Sequence, residues 1–432
     1  ARLFLNGGAL GATRILSSAS IDQMAVDQTQ GRFNPVPSDF TAFGLGWDSV
    51  SEPALKAVGV RGWAKNGGSL QYGAQILLAP ADGLAVVVMG TNGNGYDPAT
   101  VAQRVMLRAL TESGRISAFP APLANVAAPV ATPPAGLMAS ISGDYANYEG
   151  VSQLRAEPDG SLTLLSFNFS AGGFVPFLSG LRYRGDGWFS ADAQALAALK
   201  VVEADGRQYL AMRMAAGMKH YQTLFASAQR VNPAGLALSP AWRKRLDLSW
   251  LIVNESPDSM VIAPASNPRF TLGSVPGLDG LLLAKPAGGM LLPNLLDPSL
   301  SDSTARMMLV IPGNNGRDLN DLDILLKDGQ EWLRWGGWIY RPLASVPLLP
   351  GGGASSVAMG SEGLAEWRAL QAGPVPVQIA VSGATAWRLY DPDFMLLASG
   401  TASGRATLAA GARLAYLMLF GVAHSAISVS LS

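Results

Sequence analysis

Short apolar runs separated by turn residues dominate this sequence from about residue 43 onward, and that texture predicts strands far more often than helices. Gln75-Ile76-Leu77-Leu78-Ala79 and Leu84-Ala85-Val86-Val87-Val88-Met89 flank Pro80-Ala81-Asp82-Gly83, a pattern that predicts two buried strands joined as a hairpin. Pro98 then opens a segment with Val101, Val105, Met106, Leu107 and Leu110 at helical spacing, stopped by Gly114. This predicts an amphipathic helix packed on the hairpin. Residues 1–30 read as partly helical, with a turn at Gly7-Gly8 and Gly11 and with Ser20 as the cap of a segment through Met24.

Phe119 to Gly136 holds five prolines and many alanines, the composition of a semi-rigid extended linker. Beyond it, Asp159-Gly160, Gly185-Asp186-Gly187 and Asp205-Gly206 each precede an apolar run, a rhythm that predicts an antiparallel barrel or meander ending near Val231. A second β-rich unit begins near Leu246, with a break at Gly351-Gly352-Gly353. The apolar tail from Leu414 alternates with serine from Ser425, so it reads as a strand and not as a membrane anchor. Ala1 opens without a basic start or cleavage site, and a processed or trimmed N-terminus is expected. No repeat of fixed period is present.

Composition narrows the functional classes. At 432 residues the chain is long enough for several domains, and 49% hydrophobic against 14% charged residues describes folded rather than disordered protein. Lysine plus arginine and aspartate plus glutamate balance at 31 each, leaving no charge signature for nucleic acid or an anionic membrane. The absence of cysteine removes disulfides, thiolate nucleophiles and cysteine-ligated metals, and His220 and His424 lie too far apart to form a ligand pair by spacing. No metal and no cofactor is expected, and no membrane span.

Residues 1–115 carry a more specific signal. Ala1-Arg2-Leu3-Phe4-Leu5-Asn6-Gly7-Gly8, Ile15-Leu16-Ser17 with Met24, Gly44-Leu45-Gly46-Trp47, and above all Lys65-Asn66-Gly67-Gly68-Ser69 ahead of the hairpin, of Thr91-Asn92-Gly93 and of the helix follow in a set order. This stretch, about a quarter of the 432 residues, resembles the C-terminal portion of the serine β-lactamase and penicillin-binding-protein superfamily, with its class C-type esterases and D-aminopeptidases. The resemblance implies a Lys-x-Gly strand edging an active site. Lys65 would supply charge and a proton relay, and Gly68 an oxyanion-hole N–H. Asn66, Gly67 and Ser69 would line the substrate. Glycine suits such an edge because it lets a substrate backbone approach closely.

The expected fold is therefore a multidomain α+β chain. Residues 1–118 form the C-terminal part of a β-lactamase-like α/β domain and residues 119–135 the linker. Residues 136–231 form an antiparallel β-barrel, lipocalin-like by the same resemblance, and residues 246–432 a β-sandwich region divided near 351–353. Ala386-Trp387-Arg388-Leu389-Tyr390-Asp391-Pro392-Asp393 and Ala406 to Gly411 resemble jelly-roll modules attached to secreted hydrolases.

One departure is decisive for the chemistry. The family's nucleophile lies in Ser-x-x-Lys, and none of the lysines at 56, 65, 200, 219, 244, 285 and 327 has a serine three residues before it. The expectation is a serine hydrolase, acting on a small ester, amide or peptide, whose nucleophile comes from a preceding segment or a separate complementary N-terminal chain. Tight association of residues 1–115 with that part follows, since a half-domain leaves sheet edge and apolar surface uncovered. The resemblance implies a periplasmic or secreted setting. The alternative is a non-catalytic binding or scaffolding chain whose β domains recognise peptide, glycan or a partner subunit.

Three further features carry two readings each. Tyr145-Ala146-Asn147 matches the family's Tyr-x-Asn, yet lies on the wrong side of Lys65. Asp318, Asn320, Asp321, Asp323 and Asp328 read as a calcium loop or as a solvated strand edge, and the calcium-loop glycine is missing. Trp332, Trp335 and Trp338 read as a ligand platform or as aromatic core.

Overall fold

The computed structural model describes residues 1–36, 42–68, 72–91, 97–169, 171–232, 236–246, 248–259, 261, 267–286, 293–308, 320–360, 365–371, 373–411 and 414–432. The protein is mostly β. It divides into two units, Ala1–Val231 and Asn232–Met308 with Leu319–Ser432.

The first unit opens with short elements: α1 (Arg2–Leu5), a two-stranded ribbon of β1 (Ala9–Leu10) and β2 (Thr13–Arg14), α2 (Ser18–Met24) and α3 (Pro53–Lys56). Helix α2 is capped by Ser17, whose hydroxyl accepts the Ser20 amide at 3.0 Å, which corrects the expectation that Ser20 is the cap. Ser20 occupies the third helical position, where an amide is left to be satisfied by the cap. Glu52 caps α3 in the same way, with Pro53 at its first turn.

The predicted hairpin is present as β4 (Tyr72–Ala79) and β5 (Leu84–Thr91), with β3 (Trp63–Gly68) on the other side of β4. All three strands are antiparallel, and register sorts their side chains onto two faces. Ala64, Leu77 and Val86 share one face. Lys65, Ile76 and Val87 share the other. The first face packs against α4 (Pro98–Glu112), which buries Met106, Leu107 and Leu110 as expected, but Val101 and Val105, expected on the same stripe, are exposed and Ala102 is buried in their place. Asp97 caps α4 by accepting the Ala99 and Thr100 amides. Of the expected α/β domain, the described residues contain this antiparallel sheet, α4 and the short helices before it.

Residues 119–134 hold no regular structure but are not a free spacer. Leu123 N–H donates to Lys219 O at 2.8 Å, Ala131 N–H to Tyr183 O at 2.9 Å, and Arg184 reaches Ala128 O at 2.7 Å. Proline fixes an extended backbone and removes donors, and the Leu123 and Ala131 amides bond to the domain that follows.

That domain is a closed eight-stranded antiparallel barrel: β6 (Gly143–Asn147), β7 (Gly150–Ala156), β8 (Leu162–Asn168), β9 (Gly173–Gly185), β10 (Trp188–Ser190), β11 (Ala197–Ala204), β12 (Arg207–Ala216) and β13 (Tyr221–Arg230). Asp205 and Gly206 take left-handed backbone angles at the turn into β12, as their sequence signal implies. Helix α5 (Leu137–Ile141) lies at one end of the barrel core, where Ile141, Leu154, Leu162, Leu181 and Leu210 pack together.

The second unit holds two β structures. Beginning after α6 (Pro240–Arg245), strands from β14 (Ser249–Ile252) to β21 (Trp338–Pro342) close into another eight-stranded barrel, filled by Trp250, Phe270, Trp335 and Tyr340. Residues 249–342 are thus a barrel, correcting the expectation of a sandwich there. Short strands at regular spacing serve either architecture; the pairing of Trp250 with Pro342 and of Ile252 with Tyr340 closes the ring. Beyond Gly353, two four-stranded sheets face each other as a sandwich around Trp387, Leu417, Ile427 and Val429. The serine-alternating tail forms its last strand, Ala426–Leu431, with Ile427, Val429 and Leu431 buried. Among the described residues, no helix is long and apolar enough to cross a membrane.

Candidate functional site

Strand β3 is an edge strand, and its outer side is covered only in part. Ala64 exchanges hydrogen bonds with Ser49, its N–H reaching Ser49 O at 2.8 Å and its carbonyl accepting the Ser49 amide at 3.1 Å. Two residues on, the Asn66 amide donates to Asp48 Oδ2 at 2.8 Å. Alternation along an antiparallel ladder puts the polar groups of residues 64, 66 and 68 on this same outer side. Gly68 N–H therefore points off the sheet edge, beyond the last group that Asp48 covers. A Cβ at Gly67 would project onto the Lys65 face of the sheet and meet nothing within 4 Å, so that face is open at this point.

Lys65 reaches back along this edge. Its ammonium lies 3.0 Å from Asp48 Oδ2 and also donates to the Asn66 carbonyl. One carboxylate thus ties together the lysine and the following backbone amide, fixing the start of the Gly67-Gly68 segment. Lys65 and Gly68 fall on one strand edge, as do Asn66 and Gly67; Ser69 lies outside the described residues, as do residues 92–96 of the Thr91-Asn92-Gly93 loop. On the sheet face that carries Lys65, Val87 is 57% exposed and Met89 78%.

The opposite face of the sheet opens into a cavity of about 750 Å³. Ala64, Asn66, Gln75 and Leu77 form its sheet wall, and Glu52, Asp97, Thr100 and Gln103 its helix wall. The first barrel supplies much of the rest: Leu164, Ser166, Phe177, Met212, Met214 and Phe225 line the cavity, and Leu164 and Met212 belong to the same barrel core that α5 packs against. Lys65 is not among the lining residues. The register of β3 sends its side chain to the other face.

A buried polar network joins the cap of α3, α4 and the barrel at this cavity. Glu52 accepts the Leu55 amide at 2.9 Å and the Gln103 side-chain amide at 2.8 Å, and Gln103 also donates to the Tyr221 hydroxyl at 3.2 Å. Burial pushes the Glu52 carboxyl above the usual carboxylate range, against the hydrogen bonds and the nearby His220, which pull it down. Burial likewise pushes the Tyr221 hydroxyl up to about 12. His220 Nε2 lies 2.9 Å from Ala54 O and its ring stands edge-on to Tyr221. Sequence reading missed Asp48, Glu52, Gln103 and Tyr221. Of the four only Glu52 left a signal, as an acidic cap before the first-turn proline Pro53.

The remaining sequence features serve the fold. Tyr145 is fully buried in the barrel, donates to Ile141 O at 2.7 Å and has its hydroxyl pushed up to about 12 by burial, while Asn147 accepts the Glu149 and Gly150 amides of a turn. Asp318 lies outside the described residues. Asp321 accepts the Met307 amide at 2.9 Å, Asp323 pairs with Arg334 at 2.6 Å, and Asp328 turns the chain at left-handed φ. Among the described residues, no cluster of three or more histidine or carboxylate side chains is placed to hold a metal. The tryptophan triplet divides: Trp335 is core and stacks on Trp338 at 5.2 Å, while Trp332 lies under the cations of Lys327 and Arg341.

No protein-family profile matches this chain, and no curated protein matches it. Solved structures similar to parts of it include the pre-peptidase C-terminal domain of a collagenase from Bacillus anthracis, at 17% identity over 20% of this chain and 93% of that one, with a TM-score of 0.17. An octameric penicillin-binding protein homologue from Pyrococcus abyssi is similar at 12% identity over 52% of this chain and 44% of that one, with a TM-score of 0.21. SurE with D-Leu is similar at 16% identity over 50% of this chain and 44% of that one, with a TM-score of 0.30. The chain thus spans less than half the length of the last two proteins. All three are distant likenesses and assign no residue here.

Proposed function

We propose that residues 1–115 form one wall of an acyl-transfer serine hydrolase site, of the β-lactamase and penicillin-binding-protein type, acting on a small ester, amide or peptide. The observation that carries this reading is the edge of β3. Lys65 and the Gly68 N–H lie on one open strand edge, with Asp48 fixing the backbone between them. In this reading an extended substrate lies along Gly67-Gly68, and the Gly68 N–H donates to the oxyanion as the carbonyl is attacked. Lys65 supplies positive charge and takes part in proton transfer.

The nucleophilic serine and its lysine come from outside these 432 residues, which contain no Ser-x-x-Lys. The apolar sheet face around Lys65, with Val87 and Met89 exposed, supports the presence of a covering partner segment. Burying what remains exposed of those side chains would contribute about 1–2 kcal/mol each.

Activity-based labelling of the protein as isolated from its source tests this reading. A fluorophosphonate and a fluorescent penicillin are applied, and adducts are mapped by peptide mass spectrometry. The expected result is acylation of a serine in a Ser-x-x-Lys segment outside these residues, with labelling slowed by at least tenfold in Lys65→Ala. Labelling of a serine within the chain, no labelling at all, or labelling indifferent to Lys65→Ala would overturn it.

A further inference from the structure

The outer wall of the first barrel carries a separate pocket of about 290 Å³, which takes no residue from the β3 edge. Phe189, Leu199 and Met212 pack in the barrel core, so strand alternation turns Trp188, Lys200 and Arg213 outward. Residues 123–131 strap this wall. The strap is fixed at Leu123 and Ala131 by their backbone bonds to Lys219 and Tyr183. Between them the Asn125 side chain donates to Ala193 O at 2.9 Å and accepts the Leu196 amide at 3.3 Å. The pocket lies between strap and strands, with Leu123, Val126, Trp188 and Leu196 as its apolar wall.

Arg184 and Arg213 line this pocket, and no carboxylate does. Arg184 is already engaged, paired with Asp192 and donating to Ser190 O and Ala128 O. Arg213 is not. Its guanidinium lies 4.5 Å from the Trp188 ring centre, its Nε is buried without an acceptor, and its other N–H groups have none among the described residues. The Lys200 ammonium lies 4.8 Å from the same ring centre and likewise has no carboxylate partner among the described residues. A ring face attracts a cation without neutralising it, so two like charges share Trp188 uncompensated. Ser190, 5% exposed and on the pocket wall, has a hydroxyl with no hydrogen-bond partner among the described residues. Side chains this far buried are normally bonded within the protein, and this one faces the pocket instead.

We infer that this pocket binds a small monocarboxylate carried on an apolar body. A carboxylate accepts two parallel N–H bonds from a guanidinium and has lone pairs left for the Ser190 hydroxyl, while Lys200 adds to the attraction. The apolar body lies against Leu123, Val126 and Leu196. The volume is below that of drug-sized sites, which suits a single ring or a short chain. An amine of the same shape meets only like charge, and an amide lacks the charge that Arg213 and Lys200 attract. Inorganic phosphate has no body to cover the apolar wall.

Isothermal titration calorimetry of the full chain with benzoate, benzamide, benzylamine and inorganic phosphate at neutral pH tests this inference, since the first three probes share a ring and differ in the head. Benzoate is expected to bind, with each other probe at least about tenfold weaker, and its affinity should fall as salt is raised. Arg213→Gln should weaken benzoate at least about tenfold, and Ser190→Ala about threefold. Arg182→Gln, which removes an arginine paired with Asp159 elsewhere on the same barrel, should leave it unchanged. Thermal melts establish that each variant is folded, and Ser190→Ala decides the matter if Arg213→Gln is not. No benzoate binding up to about 1 mM, another probe within about tenfold of benzoate, affinity unchanged in the folded pocket variants, or an equal loss in Arg182→Gln would overturn the proposal.

Discussion

Asp48 is the residue whose replacement most directly separates the forces that hold the β3 edge. Its Oδ2 accepts the Asn66 amide at 2.8 Å and pairs with Lys65 at 3.0 Å, with side-chain exposures of 24% for Asp48 and 36% for Lys65. An ion pair this exposed is screened by solvent and contributes about 0.2–1 kcal/mol, taken here near 0.5. A carboxylate accepting a backbone N–H is stronger, up to about 1.5–3 kcal/mol when buried, and about 1–1.5 at this partial exposure. Asp48→Ala loses both and should destabilise the edge by about 1.5–2 kcal/mol. Asp48→Asn keeps an acceptor for the amide and should lose only about 0.5.

Hydrogen exchange resolved to the Asn66 amide reads this opening locally, without requiring the multidomain chain to unfold as one. With about 1.4 kcal/mol per factor of ten, Asp48→Ala should speed exchange at least tenfold, and Asp48→Asn only two- to threefold. Raising the salt concentration should narrow the difference between the wild type and Asp48→Asn, because only the screened ion pair separates them. Equal acceleration in the two variants would show that the ion pair and not the amide contact holds the edge. No acceleration in Asp48→Ala would refute the whole account.

Three other outcomes are expected. Because burial raises the Glu52 carboxyl above its ordinary 4.5, the folded chain binds that proton more tightly than the unfolded one. Stability linked to it is then fully present below the unfolded value and is lost as pH rises through the folded one. Glu52→Gln should therefore flatten this decline in denaturation midpoints measured from about pH 4 to 8; a difference from wild type that is constant across that range would contradict the assignment. A Cβ on Gly404 would lie 2.6 Å from the Trp387 ring, so Gly404→Ala should cost about 1–3 kcal/mol, read by urea denaturation of the sandwich; an unchanged midpoint would mean the ring moves freely. Tyr145→Phe leaves the buried Ile141 carbonyl without its donor and should cost about 1–2 kcal/mol while leaving fluorophosphonate labelling intact; lost labelling would return Tyr145 to the chemistry.

Local pattern determined much of this protein. The hairpin of β4 and β5, the existence of α4 and the alternating last strand follow from periodicities of 2 and 3.6, because side-chain direction is set by backbone geometry within a few residues; the face α4 buries was misplaced at Val101 and Val105. The turn at Asp205-Gly206 follows equally from the left-handed angles that those residues tolerate. The edge position of the Lys65-Asn66-Gly67-Gly68 strand was expected only through the family resemblance; the glycines alone read as a strand entry.

Closure and convergence lay beyond that reach. Whether residues 249–342 form a barrel or a sandwich depends on Trp250 meeting Pro342, a pairing that no local pattern encodes. Asp48 acts on Lys65 across 17 positions, and Gln103 meets Tyr221 across 118, so the charge partner of the lysine and the polar wall of the cavity exist only once the chain is folded. The sequence specifies which residues are available. The tertiary structure decides which face each occupies, sending Lys65 to one side of the sheet and Asn66 to the cavity on the other, because adjacent strand residues point in opposite directions and packing alone fixes what each direction meets.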